Sequence, residues 1–406
     1  MSNITVDLNL IKEIKKYGAF DVSACFNCGT CTAICPLTDE EGNFPRRIIR
    51  YAQLGQKEKL EGSKELWLCY YCGECSDTCP READPGEFMM SARRYAIASY
   101  DPTGISKLLY KSKLFSGFMV ALVAFLVGLA FYIVRGNEVH ADSLLFEIDP
   151  AYIHWGGYAL MAFLAIVVVA ELWKMTTRIY KKEKEKLEKE GVEIDEKIFP
   201  KLVRWVKNAF NIVFVEFIAQ KRYFRREKVE EEKWIFSKWF IHLNIVLGFS
   251  GLFVATALDF FLDIINVKKT PIGAVPLFYP TRLLGTIAGL MLLYGIILAF
   301  FFRLKKQDSS REHSRFSDWF LLSLLFGLAV SGFILEILVY FPLANEQFAF
   351  WTFIVHVVFA VEMIIFAPFS KLAHLMYRTY ALWIYKNLQT APKKYPEIAD
   401  LIIYED

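Results

Sequence analysis

The eight cysteines constrain what this chain can fold into more than any other feature of its sequence. All of them lie between residues 25 and 79, in two copies of the spacing C-x2-C-x2-C-x3-C followed by proline. Three thiols separated by two residues each can reach three corners of one small inorganic cluster, whereas the fourth is held too far around the turn. The first motif is Cys25, Cys28, Cys31 and Cys35, and the second is Cys69, Cys72, Cys75 and Cys79.

Bacterial ferredoxins with two [4Fe–4S] clusters use this same run, and their fourth cysteine ligates the cluster of the other motif. The spacing therefore predicts two [4Fe–4S] clusters with crossed ligation. We expect one cluster on Cys25, Cys28, Cys31 and Cys79, and the other on Cys69, Cys72, Cys75 and Cys35.

Zinc and disulfide bonds are the alternative uses of these cysteines. Structural zinc prefers paired C-x2-C units separated by a dozen or more residues, not four cysteines in a row. Disulfides need an oxidising compartment, and the first residues, MSNITVDLNLIKEIKKYG, lack the apolar core and cleavage site of a secretory signal. The pattern therefore favours iron–sulfur clusters over either alternative.

The segment between the motifs has the apolar period of a helix. Ile48, Ile49, Ala52 and Leu54 recur at the spacing of one helical face within residues 44–68. This period predicts a helical two-cluster ferredoxin domain over residues 1–110, and therefore an all-α fold class rather than a βαβ ferredoxin.

The remainder of the chain is apolar enough to cross a membrane repeatedly. Apolar residues make up 55% of the whole sequence, although the first hundred residues are hydrophilic, and runs of about twenty apolar residues can span ~30 Å of hydrocarbon. This composition excludes a disordered chain and a purely soluble enzyme. The predicted spans are 114–134, 155–173, 240–262, 283–302, 317–341 and 350–370, which place a six-helix membrane domain in residues 111–406.

Basic residues predict the orientation of these spans. The connection 174–239 contains 18 Lys and Arg, and the connection 303–316 contains five, whereas 135–153 contains one. Because basic connections stay on the cytoplasmic side, we expect a multi-pass protein of the cytoplasmic membrane with the cluster domain and both termini in the cytoplasm. The near balance of 47 basic and 44 acidic residues gives no support for a nucleic-acid partner.

Two of the six histidines lie on or just beyond the sixth span. His356 and His374 are 18 residues apart, which on one continuous helix is five whole turns and about 27 Å along the axis. A lone membrane histidine is usually a packed, hydrogen-bonded residue. Two on one face, one in each leaflet, are better explained as axial ligands of two haems stacked across the bilayer.

The other ligands follow from the depth of each histidine in the predicted topology. His242 begins the third span at the cytoplasmic side, level with His374, and His154 begins the second span at the outer side, level with His356. We therefore expect an inner haem b between His242 and His374, and an outer haem b between His356 and His154. His140 and His313 fall in connections and are interpreted as surface residues.

Both parts of the chain resemble known redox proteins. The segments CFNCGTCTAICP, FPRRIIRYAQLG, CYYCGECSDTCP and READPGEFMMSARRYAI resemble the C subunit of heterodisulfide reductases. The segment HVVFAVEMIIFAPFSKLAH at 356–374 resembles the cytochrome b of the nitrate reductase gamma subunit and of the E subunit of heterodisulfide reductases. Fused in this order, the two parts are similar to the membrane-embedded C subunit of the quinone-interacting membrane-bound oxidoreductase complexes of sulfate reducers.

The resemblance implies a function as well as a fold. It implies exchange of electrons between menaquinone, haem b, two [4Fe–4S] clusters and cytoplasmic flavoproteins similar to the A subunit of heterodisulfide reductases, in anaerobic sulfur or sulfate respiration. It also implies a link to adenylylsulfate reductase, and it carries haem ligation onto His242, His356 and His374. The nitrate reductase pattern has a second histidine where this chain has Leu252, so the resemblance supplies no partner for His356.

Two functions of other classes fit parts of the same sequence. A zinc-stabilised membrane scaffold or sensor would use the cysteine motifs structurally. A redox-driven ion transporter would use the carboxylates in or near the spans as proton relays, although each of these could equally pair with Lys, Arg or a haem group. These carboxylates are Glu171, Asp259, Glu336 and Glu362.

Overall fold

The computed structural model describes residues 6–18, 22–38, 44–134, 150–189, 191–194, 197–226, 234–265, 276–306, 309–341 and 346–394. These residues are predominantly helical, and the described strands are one antiparallel pair of two residues each, Glu193–Ile194 with Lys393–Lys394. The predicted all-α fold class is confirmed.

The chain forms two compact units, and each unit combines stretches that are distant in sequence. The first unit consists of Met1–Pro102, Val169–Phe217 and His374–Asp406. The second consists of Thr103–Val168 and Ile218–Ala373. The residues around the cysteine motifs therefore pack with parts of the chain that lie far beyond the N-terminal hundred residues.

The first unit is built from short helices around the cysteines and from three longer helical segments. Its helices are α1 Leu10–Lys15, α2 Thr30–Ile34, α3 Arg46–Gln53, α4 Lys57–Glu61, α5 Glu65–Leu68, α6 Glu74–Asp77 and α7 Pro85–Tyr100. The end of α10 Pro150–Lys189, α11 Ile198–Asn211 with the π-helical Ile212–Ile218, and α18 Ala373–Gln389 complete it.

The helix between the cysteine motifs matches its sequence prediction except at one end. Ile48, Ile49 and Ala52 of α3 are buried, as the helical period predicts. Leu54 was predicted to share that face, but this prediction is wrong, because α3 ends at Gln53 and Leu54 is 42% exposed. The helix therefore packs through its central residues rather than through its last turn.

The second unit consists mainly of long apolar helices. The long helices are α9 Lys113–Ile133, the start of α10, α13 Lys238–Ile264, α14 Pro280–Leu304, α16 Phe316–Tyr340 and α17 Glu346–Phe366. The short helices are α8 Ile105–Lys111, α12 Lys221–Arg226 and α15 Ser309–Glu312. Within the described ranges, six helices are long and apolar enough to cross a membrane. Their spans are Lys113–Ile133, Trp155–Glu188, Lys238–Leu262, Pro280–Leu304, Phe316–Leu338 and Gln347–Phe366.

Small residues let the apolar helices of the second unit approach closely. A Cβ added to Gly248 of α13 would lie 2.5 Å from the backbone nitrogen of Leu292 in α14. A Cβ added to Gly295 of α14 would likewise lie 2.6 Å from Cγ1 of Ile245 in α13. Contacts of this kind replace the hydrophobic driving force that lipid does not provide between membrane helices. The second unit therefore has the packing of a membrane helix bundle.

The sixth apolar segment is interrupted before it reaches His374. Helix α17 ends at Phe366, residues 367–372 form turns, and α18 begins at Ala373. Pro368 lies in the interruption, and proline has no backbone N–H to donate to the carbonyl one turn earlier. The prediction that His356 and His374 lie in phase on one continuous helix is therefore wrong.

Candidate functional site

The two cysteine motifs fold into loops with the same backbone conformation. Asn27 and Tyr71, which precede the second cysteine of each motif, have φ of 62° and 56°. Gly29 and Gly73, which follow that cysteine, have φ of 97° and 99° and are the N-cap residues of helices α2 and α6. Glycine is favoured in this left-handed region because it has no Cβ to clash. Each loop can therefore turn its first three thiols around one common space.

The end of the second motif lies beside the start of the first. Helices α2 and α6 pack against each other. Arg81, two residues beyond Cys79, donates a hydrogen bond to the Ala24 carbonyl at 3.4 Å, and its guanidinium lies 6.0 Å from the ring of Phe26. These residues flank Cys25, so the fold brings the chain after Cys79 to the beginning of the first motif.

The electrostatic neighbours of the buried thiols cross between the motifs. Burial raises the pKa of Cys31 to about 11, and Cys25, Cys28 and Cys79 add to the rise. Burial likewise raises the pKa of Cys35 to about 12, with Cys69 and Cys72 as further causes. Cys79 thus lies among the electrostatic neighbours of the first motif and Cys35 among those of the second, while Cys31 also adds to the rise in pKa of Cys35 and Cys75. The crossed ligation stays a prediction.

The donor set fits two iron–sulfur clusters. A [4Fe–4S] cluster takes its four thiolates at separate iron atoms, and the eight cysteines of the two motifs supply two sets of four thiols. A hydrogen bond from Thr30 lowers the pKa of Cys28, which favours the thiolate form that ligates iron. All eight cysteines are free thiols rather than disulfides.

The helix that carries His374 contacts the second cysteine loop within the first unit. Tyr377 of α18 lies 5.4 Å, between ring centroids, from Trp67, and both are about 1% exposed. The guanidinium of Arg378 lies 4.3 Å from the ring centroid of Tyr70, which follows Cys69. Tyr100 completes the buried aromatic cluster at 5.6 Å from Tyr377. Aromatic and cationic side chains therefore join α18 directly to this loop.

The charged end of α10 binds the cluster domain. The alternating charges of KKEKEKLEKE at 181–190 predict a solvated helix with i,i+4 pairs. Within the described part of this segment, Lys184 does pair with Glu188 at 3.6 Å. The other face of this segment is not solvated, because Lys182 donates to Ser63 at 2.8 Å and lies 3.7 Å from Glu65. Arg178, one turn earlier, pairs with Glu61, whose side chain is fully buried.

Arg178→Ala is expected to destabilise the first unit, because it leaves the buried Glu61 carboxylate without its cation. Removing one partner of a buried ion pair costs about 3–5 kcal/mol. Lys184→Ala is the matched control on the same helix, since its ion pair is exposed and is worth about 0.3–0.5 kcal/mol. Two measurements compare the variants: the melting temperature of the full-length protein, and the resistance of its cluster domain to protease. Equal stability of the two variants would contradict the anchoring role of Arg178.

Two of the predicted haem ligands are hydrogen-bonded through Nδ1 to a polar side chain. His242 of α13 shares a hydrogen bond of 2.8 Å between its Nδ1 and Gln220 Oε1, and His356 of α17 shares one of 2.9 Å between its Nδ1 and Ser331 Oγ. Both lie in the second unit, whereas His374 lies in the first. The side chain of His154 and the whole of His140 lie outside the described residues.

His313 agrees with its interpretation as a surface residue. Its side chain is 32% exposed and lies 3.9 Å from the Glu312 carboxylate. Sequence reasoning did not single out Gln220 or Ser331. No local motif marks them, because they reach the histidines from 22 and 25 residues away along the chain.

The four carboxylates considered as proton relays have different partners. Glu171 accepts a hydrogen bond from Tyr377 at 2.7 Å, Glu336 accepts one from Thr286 at 2.7 Å, and Asp259 accepts one from Thr281. The side chain of Glu362 is 2% exposed, and its Oε1 has no hydrogen-bond partner among the described residues. Hydroxyl groups therefore donate hydrogen bonds to three of these four carboxylates.

Comparison with known proteins identifies the class of the N-terminal domain. Residues 21–83, which contain both cysteine motifs, match a family model described as a 4Fe-4S dicluster domain. The chain therefore contains an iron–sulfur domain of the dicluster class.

Two curated proteins are similar to a part of this chain. The C subunit of the H(2):CoB-CoM heterodisulfide,ferredoxin reductase of Methanothermobacter thermautotrophicus is 36% identical over 62 residues, which are 15% of this chain and 34% of the relative. The protein of the same name from Methanothermobacter marburgensis matches equally. The chain thus spans about a third of the length of these relatives. No solved structure matches the chain.

Proposed function

We propose that this chain is the membrane-anchoring electron-transfer subunit of a quinone-linked oxidoreductase complex. The dicluster match and the similarity to the C subunit of a heterodisulfide reductase support an iron–sulfur electron-transfer role. The six apolar helices support a multi-pass membrane protein. In the proposed function, electrons pass between the menaquinone pool, haems b in the membrane helices, the two [4Fe–4S] clusters and a partner flavoprotein.

The contact between α18 and the second cysteine loop carries this proposal. His374 lies in the first turn of α18, and Tyr377 and Arg378 follow it by three and four residues, on neighbouring positions of one helical face. Tyr377 packs on Trp67, and Arg378 packs on Tyr70, at the entrance to the second motif. The chain thus offers a direct packed connection from a candidate haem ligand to candidate cluster ligands.

In the proposed function, cysteine residues bind the clusters and histidine residues bind the haems. The eight cysteines hold the clusters, with the fourth cysteine of each motif on the opposite cluster. His242 with His374 hold an inner haem b, and His356 with His154 hold an outer one. The bound groups supply the one-electron chemistry, while axial ligands, hydrogen bonds and burial set the potentials.

The partners follow from the family resemblance. The curated relatives are the C subunits of reductases that are named for heterodisulfide and ferredoxin, which supports assembly with further reductase subunits. We expect a flavoprotein similar to the A subunit of heterodisulfide reductases on the cytoplasmic side, and a link to adenylylsulfate reductase through the complex. Menaquinone as substrate rests on the resemblance of residues 356–374 to quinone-linked cytochromes b.

Quinol is expected to reduce the clusters through the membrane helices. The purified full-length protein should contain iron, labile sulfide and a Soret band, and a soluble menaquinol analogue should reduce both the haem bands and the cluster EPR signals. His374→Ala is expected to abolish cluster reduction by quinol while dithionite still reduces the clusters directly. His313→Ala is the matched control and should behave as wild type.

Two results would contradict this function. Colourless protein loaded with zinc would favour the scaffold or sensor. Haem and clusters that dithionite reduces but quinol does not would remove the quinone link. Proton release in liposomes beyond the protons of the quinol itself would add ion translocation to the function.

A further inference from the structure

Two histidines in the second unit are held at the same ring nitrogen by buried polar side chains. Gln220 Oε1 lies 2.8 Å from His242 Nδ1, and Ser331 Oγ lies 2.9 Å from His356 Nδ1. Gln220 is 6% exposed and Ser331 is 5% exposed. The same arrangement thus occurs at two separate imidazoles, on helices α13 and α17.

The hydrogen bonds define which nitrogen of each imidazole carries the proton. An amide oxygen can only accept, so His242 donates from Nδ1 to Gln220. Ser331 Oγ lies 2.6 Å from the Gly327 carbonyl and 3.2 Å from the Leu328 carbonyl. With its single proton donated to either carbonyl, the Ser331 oxygen accepts from His356 Nδ1. In both neutral rings the lone pair is consequently on Nε2, which is the form that binds a metal.

The fold holds each ring in place by a second contact. Gln220 follows the π-helical segment Ile212–Ile218 with φ of 47°, and the ring of Tyr223 lies edge-on to His242 at 5.8 Å. At the other site, a Cβ on Gly332 would lie 3.2 Å from His356 Cε1, so this ring rests against the backbone of α16. Both imidazoles are therefore constrained in proton position and in orientation.

We propose that Gln220 and Ser331 are positioning residues that prepare His242 and His356 to ligate iron through Nε2. The inference rests on the proposed function, in which these histidines bind haem b. A hydrogen-bond acceptor at the distal ring nitrogen fixes the tautomer and raises the basicity of the ligand. A more basic ligand stabilises ferric iron, so each acceptor lowers the midpoint potential of the haem that its histidine binds.

Two variants at Gln220, which are expected to shift the haem midpoint potential in opposite directions, test the proposal. In the purified full-length protein, Gln220→Met removes the acceptor and is expected to raise the midpoint potential of one haem. Gln220→Glu keeps the acceptor, adds negative charge and is expected to lower the potential of the same haem. A merely structural role would move both potentials in the same direction. Redox-monitored optical titration and EPR of the low-spin haems provide the measurement.

Matched variants at Ser331 test the second site. Ser331→Ala is expected to raise the potential of a haem and to weaken haem binding by about 10- to 100-fold. Ser331→Thr retains the hydroxyl and should keep the wild-type potential. Haem content is measured in parallel as the pyridine haemochrome.

The outcomes separate this inference from the proposed function. Haem-free wild-type protein would overturn both. Haem-loaded wild type, with unchanged potentials in Gln220→Met and Ser331→Ala, would overturn the positioning role and leave the function standing. If either of these two variants fails to fold, Gln220→Glu and Ser331→Thr still test the proposal. A lowered haem midpoint potential in Gln220→Glu and a wild-type midpoint potential in Ser331→Thr support it. Any other result overturns it.

Discussion

Replacing Cys79 with alanine is expected to remove the cluster that is held mainly by the first cysteine motif. Cys79 belongs to the second motif, but its thiol is among the electrostatic neighbours of Cys31. Arg81, just beyond it, contacts Ala24 and Phe26 on either side of Cys25. Loss of one of four thiolate ligands should abolish one of the two EPR signals while the other is retained.

Two variants at exposed cysteines identify the two signals. Cys28→Ala should remove the cluster of the first motif, and Cys72→Ala should remove the cluster of the second. With crossed ligation, Cys79→Ala loses the same signal as Cys28→Ala, and Cys35→Ala loses the same signal as Cys72→Ala. If Cys79→Ala instead reproduces Cys72→Ala, each motif binds its own cluster and the crossed assignment is wrong.

Features that depend on local sequence could be predicted. The helix that buries Ile48 and Ile49 follows from a period of 3.6 residues. The six apolar helices follow from length and hydropathy, because a span must satisfy its own backbone in lipid. The dicluster domain follows from cysteine spacing, since the ligand geometry of one loop is set within about ten residues.

Features that depend on contacts across the chain could not be predicted. The ion pair between Arg178 and Glu61 joins residues more than one hundred positions apart, and nothing around 181–190 distinguishes its bound face from its solvated face. Gln220 is similar, because a single polar residue after an apolar run carries no local signal of its hydrogen bond to His242. Such pairings arise from tertiary packing, which a periodicity does not encode.

The interruption between α17 and α18 contains Pro368 and separates His356 and His374, which the sequence places on one helical face. The 18-residue interval between His356 and His374 implies a common face only if every residue between them is helical. Pro368 cannot donate to Ile364, and the chain forms turns until Ala373. The pairing of these histidines with haems therefore rests on their depth in the predicted topology and on the resemblance, not on helical phase.

His242→Ala and His374→Ala are each expected to remove the same low-spin haem, because bis-histidine ligation fails when either imidazole is lost. Haem b should fall from two per chain to one in both variants, and the same optical and EPR component should disappear. His356→Ala should remove the other component. His313→Ala, at a partly exposed position beside Glu312, should keep both haems and is the matched control.

The pattern of losses tests the pairing by depth, because His356 and His374 do not lie on one continuous helix. If His242→Ala and His374→Ala remove different components, these two histidines ligate different haems, and the outer haem must then be re-paired as well. If wild-type protein contains only one haem b and His356→Ala retains it, the outer site with His154 does not exist. The hydrogen bond from His356 to Ser331 would then belong to a packed histidine of the α16–α17 contact.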